Sequence, residues 1–77
     1  MALALEFTVE PFVQGDPGPH VTAALEAARA SGLAVEFGPF GTTVVGPDEV
    51  VLAALDSVVR RALEAGATRV SVQLQRR

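Results

Sequence analysis

The chain contains no cysteine, tryptophan, tyrosine or lysine. Without thiols, neither a disulfide nor a thiolate-bound metal can staple the fold. A soft-metal carrier with paired cysteines in its first loop is excluded on the same ground. Six arginines face nine acidic residues, giving a formal charge of −3 and a pI of about 4.9. Phosphate contacts need a basic surface, so nucleic acid is not an expected partner. No apolar run approaches membrane-spanning length, so a membrane is not expected either. Met1–Leu5 is too short for a signal-peptide core and lacks a basic start, which makes the cytoplasm the expected location.

What is present is apolar. Hydrophobic residues make up 49% of the 77 positions and charged residues only 19%. A single domain of this length buries a modest fraction of its surface. Self-association into a homodimer or homotetramer is the expected remedy.

Punctuation divides residues 1–77 into six elements. Leu3, Leu5, Phe7 and Val9 alternate with Ala4, Glu6, Thr8 and Glu10, the period of a strand with one buried face. Gln14–Pro19 is a loop by composition. Gly18-Pro19 opens a helix that closes at Gly32, and Gly46-Pro47 opens a longer one that closes at Gly66; proline suits the first helical turn and glycine the end. The first helix turns Val21, Ala24, Leu25 and Ala28 inward; the second turns Val51, Leu52, Leu55, Val59, Ala62 and Leu63 inward. Asp56 and Arg60 are spaced for an i,i+4 pair.

Strands are expected at Leu33–Phe37, with Leu33, Val35 and Phe37 inward, and at Thr42–Val45, joined through Gly38-Pro39-Phe40-Gly41. The last strand, Thr68–Gln75, turns Val70, Val72 and Leu74 inward. The order β-α-β-β-α-β is the split βαβ plan. It implies an α+β, ferredoxin-like sandwich: a four-stranded antiparallel sheet in order 4-1-3-2 with two helices on one face.

The other face is expected to display Glu6, Thr8, Glu10, Glu36, Thr43, Val45, Ser71, Gln73 and Gln75. An RNA-binding sheet would need aromatic residues at its central outward positions, and none stands there. An acylphosphatase-type site needs an arginine in the first loop, and Gln14–Pro19 has no basic residue. Two prolines also remove amides that would cradle a phosphate there. Glu6 and Glu10 lie about 13 Å apart along one strand, too far for an acid–base dyad. His20 reads as a capping or surface residue, and Arg60-Arg61 and Arg76-Arg77 as solvated charges. No enzyme, metal or cofactor is expected.

Three segments carry a resemblance. Glu6-Phe7-Thr8-Val9-Glu10-Pro11 resembles the first strand of the small YkoF-like thiamine-binding family, with its E-[FV]-[ST]-hydrophobic-x-P pattern. Gly38-Pro39-Phe40-Gly41-Thr42 is similar to that family's G-P/M-x-G-T step, and Gly66-Ala67-Thr68-Arg69-Val70 to its G-x-x-R-V step. The resemblance implies a ferredoxin-like fold, oligomers built through the sheets, and non-enzymatic binding of thiamine or its hydroxymethylpyrimidine part. Glu6, Thr8, Glu10, Glu36 and Thr43 are the candidate ligand-binding residues. The family's third strand usually ends Glu-Gly, where this chain has Val45-Gly46. That exchange favours an alternative, a structural or regulatory oligomer of ACT-like type without thiamine affinity.

Overall fold

The computed structural model describes residues 1–12, 15, 18–38 and 41–77. Its elements are β1 (Ala2–Glu10), α1 (Pro19–Arg29), β2 (Val35–Gly38), β3 (Gly41–Pro47), α2 (Asp48–Glu64) and β4 (Arg69–Arg76). The strands form one antiparallel sheet in the order β2-β3-β1-β4. This is the expected ferredoxin-like arrangement. The two connections read as loops, Gln14–Pro19 and Gly38–Gly41, include Gln14, Asp16, Pro17, Pro39 and Phe40, which lie outside the described residues, as does Val13.

The alternation in β1 works as its chemistry requires. Leu3, Leu5, Phe7 and Val9 are buried against the helices, and Val44 from β3 joins them opposite Leu5. Pro19 occupies the first turn of α1, where its missing N–H removes no helical bond. Gly32 and Gly66, with φ of +81° and +110°, end the two helices in the backbone region that glycine reaches without steric cost. Leu33 lies over Gly46 so closely that a Cβ there would stand 2.6 Å from its Cδ1.

Helix α2 departs from the expected face. Val51, Ala54, Val58 and Ala62 are buried, with Leu55 packed beside them. Leu52 and Leu63, expected inside, are 47% and 51% exposed, and Val59 is only half-buried. The sequence offers α2 two adjacent apolar stripes, and packing selects the one with smaller side chains. The alanines of α1 (Ala24, Ala27 and Ala28) are buried too, so small residues on both helices let their backbones approach.

Edge strand β4 departs as well. Val72 and Leu74 face the helix layer by register, opposite Phe7 and Leu5, yet are 36% and 42% exposed. The helices pack over β1 and β3 more than over β4, so the inward direction does not bring burial. Phe37 on edge strand β2 is 49% exposed for the same reason. Arg76, expected as a solvated charge, places Nη1 2.8 and 2.7 Å from the two Asp48 carboxylate oxygens. This pair ties the start of α2 to the end of β4. Arg60 and Asp56 form the expected i,i+4 pair at 3.0 Å.

Candidate functional site

The uncovered sheet face is organised in rows across the strands. Residues paired by register share a face, so Gln73, Glu6, Thr43 and Glu36 form one row spanning β4, β1, β3 and β2. Neighbouring strands lie about 4.8 Å apart, which puts Glu6 and Glu36 about 10 Å from each other with Thr43 between them. A concavity of about 500 Å³ covers Glu6, Thr43, Gln73, Gln75 and Arg77, with Ala4 at its base. Val45, one row on, pairs with Ala4 and is 38% exposed, so it faces outward as expected.

Thr8 occupies the next row, beside Ser71, and Glu10 stands at the end of the sheet. The five candidate residues therefore divide. Glu6, Thr43 and Glu36 come together, Thr8 adjoins them, and Glu10 stands two rows beyond Glu6, where Arg69 Nε lies 3.6 Å from its carboxylate. The Glu10 carbonyl also accepts a bond from the Thr68 amide at 2.9 Å.

A second concavity of about 260 Å³ opens at that end of the sheet, between α1 and the β2–β3 hairpin. Buried Phe7, Val21 and Ala24 contribute to its wall. Thr8, Glu10, Phe12, Phe37, Gly38 and Gly41 complete most of the rest. Phe12 and Phe37 are 48% and 49% exposed, an unusual cost for two phenyl rings in so small a domain. Sequence reasoning missed this pocket. Phe37 was assigned to the core by alternation, and Phe12 follows the strand-ending proline, where no periodicity applies. The one available signal is Phe12, the only one of the four phenylalanines that the pattern assigns to no strand, helix or connection.

His20 is not the surface or capping residue expected. It is buried, and its ring nitrogen Nε2 meets the carbonyl oxygen of Pro11. The ring packs close to Gly18, where a Cβ would stand 2.6 Å from Cε1. Its place is structural: it ties the chain leaving β1 to the first turn of α1.

Residues 5–76 match the thiamine-binding protein family. The chain belongs to that family. Among solved structures, a domain of unknown function from Bacillus cereus has 28% identity and a TM-score of 0.77, covering 100% of this chain and 77% of that one. A Thermotoga maritima protein, provisionally assigned to thiamine biosynthesis or salvage, has 26% identity and a TM-score of 0.71, covering 97% and 81%. Acylphosphatase from Bacillus subtilis superposes at a TM-score of 0.57 with 20% identity, covering 100% and 88%; at that identity the likeness is one of fold alone. A comparison with curated protein sequences gives no match.

Within this thiamine-binding family member, the three segments that resemble YkoF-like proteins converge. Glu6–Pro11 runs along β1 to the loop end. Gly38 and Gly41 flank the pocket there, and Thr68 and Arg69 hold Glu10 from the other side.

Proposed function

We propose that the protein is a non-enzymatic binder of thiamine or its hydroxymethylpyrimidine moiety, working as a homo-oligomer. Membership of the thiamine-binding family over residues 5–76 carries this reading. The chemistry of the two concavities supports it. A carboxylate accepts hydrogen bonds from the amidine-like edge of an aminopyrimidine and offsets a thiazolium charge, while a hydroxyl fixes orientation. Glu6, Glu36 and Thr43 offer these groups on the open face, and Thr8 and Glu10 offer them at the loop end.

The test is calorimetric titration of the purified protein with thiamine and with hydroxymethylpyrimidine, alongside melting curves. Saturable heat and a raised melting temperature are expected for at least one of the two. Absence of both effects at millimolar ligand refutes the reading.

Self-association has a physical basis on this surface. Among the described residues, strand β4 pairs only with β1, so its outer edge carries backbone groups that a second copy's strand can satisfy. The Asp48–Arg76 pair aligns α2 with β4, setting exposed Leu52 and Leu63 on the flank where Val72 and Leu74 are also exposed. Val45 is the apolar element of the open face. Sedimentation of the wild type is expected to give a species larger than the 8.0 kDa chain. Leu74→Glu is expected to dissociate it, and Val45→Glu reports separately on contact through the open face. A wild type that sediments as one chain at all concentrations overturns the assembly.

A further inference from the structure

We infer that His20 is a positioning residue for ligand binding. Its Nε2–H, donated to the Pro11 carbonyl oxygen, holds the Pro11–Phe12 segment against α1 and so tunes the affinity of the concavity beside it. The inference rests on the thiamine-binding reading and adds to it a residue that itself touches no ligand. Three observations support it.

The first is where His20 stands. The concavity of about 260 Å³ is walled on one side by Val21 and Ala24 of α1, and on another by Glu10 and Phe12 of the chain leaving β1. His20 immediately precedes Val21 on α1 and reaches across to Pro11, between Glu10 and Phe12. It is buried and is not among the residues lining the hollow. Its influence on a ligand passes through the two walls it joins.

The second is how little else holds that segment. Pro11 has no N–H to donate. Phe12 is 48% exposed, so burial anchors its ring weakly. The Thr68 amide and hydroxyl hold the Glu10 carbonyl at 2.9 and 3.4 Å, and His20 holds the next carbonyl, that of Pro11. Among the described residues, no other hydrogen bond reaches Pro11 or Phe12. A carbonyl oxygen only accepts, so Nε2 is the nitrogen that carries the proton.

The third is the seat prepared for the ring. The amides of Val21 and Thr22 both bond the Gly18 carbonyl, at 3.1 and 3.2 Å, so the imidazole projects from a closed first turn. Gly18 makes room for it: a Cβ there would stand 2.6 Å from Cε1 and 2.9 Å from Nδ1 of His20. The Gly18 backbone is ordinary and extended, with φ −70° and ψ 178°, a conformation open to any residue. The glycine therefore serves the imidazole rather than the backbone.

The experiment is calorimetry with thiamine and with hydroxymethylpyrimidine on the wild type, His20→Gln, His20→Asn, Gly18→Ala and the double variant Gly18→Ala/His20→Asn. Glutamine carries an amide N–H where Nε2 stands, whereas asparagine carries the same group one bond short of it. Gly18→Ala keeps the histidine and displaces its ring. Melting curves of the ligand-free proteins separate loss of fold from loss of affinity, and the Phe12 amide resonance reports on the segment directly. His20→Asn and Gly18→Ala are each expected to weaken thiamine binding by about threefold to tenfold and to move the Phe12 resonance. His20→Gln is expected to stay within about twofold of the wild type. Alanine at position 18 is expected to add nothing once His20 is replaced, because both changes act on one contact.

Equal affinity in the wild type, His20→Asn and Gly18→Ala overturns the inference while the thiamine-binding reading stands. Equal losses in His20→Gln and His20→Asn, or additive losses in the double variant, also overturn it, since the side chain then acts by filling space and not by donating. If His20→Asn melts too low to titrate, Gly18→Ala carries the test alone. A wild type that binds neither probe removes both the reading and the inference.

Discussion

Gly41 shows how one residue joins fold to site. Its φ of +154° lies where a side chain is strained, and a Cβ added there would stand 3.2 Å from the Phe7 carbonyl oxygen and 3.3 Å from the Thr8 methyl. Gly41→Ala is therefore expected to cost about 1–3 kcal/mol, measured by urea unfolding. A change below about 0.5 kcal/mol would mean that the hairpin relaxes around the new methyl group. In the core, Leu5 is fully buried beneath both helices, and Leu5→Ala is expected to cost about 2–5 kcal/mol. That is a large share of what so small a domain has. Such residues were legible because alternation in β1 assigns them unambiguously. His20 was not, since nothing local in the sequence reveals that Pro11 folds back over it.

At the scale of the element, α2 carries the clearest lesson. Nearly every position from Val50 to Val59 is apolar, so helical periodicity fits two neighbouring stripes equally well. Only packing against the alanine face of α1 decides between them. Val58→Ala is expected to destabilise by about 1–3 kcal/mol, because its side chain is wholly buried. Leu63→Gln in dilute protein is expected to stay within about 0.5 kcal/mol. Reversal of that order, read from denaturation midpoints, would place the helix in the other rotation. Strand β4 makes a related point: its alternation correctly gave the direction of Val72 and Leu74, but an edge position withholds the cover that direction implies. The candidate site divided in the same way. Register joined Glu6, Thr43 and Glu36 as alternation required, and Glu10 falls at the loop end because it is the last residue of β1; its cross-strand pair with Arg69 is a contact that no single strand's pattern displays.

At the scale of the whole molecule, the fold follows from proline and glycine placement together with three strand periods, and its strand order follows from right-handed crossovers. The described fold is fully compact: its radius of gyration of 11.4 Å matches the roughly 11.5 Å expected for a domain of this length. Its deficit is one of cover, since Leu52, Leu63, Val72 and Leu74 remain in water. Binding and self-association are both answers to that deficit. Ion pairs contribute little by comparison. Asp48–Arg76 is half-exposed and worth at most about 1 kcal/mol, so raising the salt concentration is expected to lower the unfolding free energy by no more than that amount. A larger fall would point to an electrostatic role at the β4 flank.

One measurement addresses binding and its location together: amide chemical shifts of the isotope-labelled protein, followed by NMR as thiamine is added. Saturable shifts concentrated at Glu6–Glu10, Glu36–Gly38 and Gly41–Thr43 are the expected result. A spectrum unmoved by millimolar thiamine, or shifts confined to the distant ends of α2 and β4, would contradict the account.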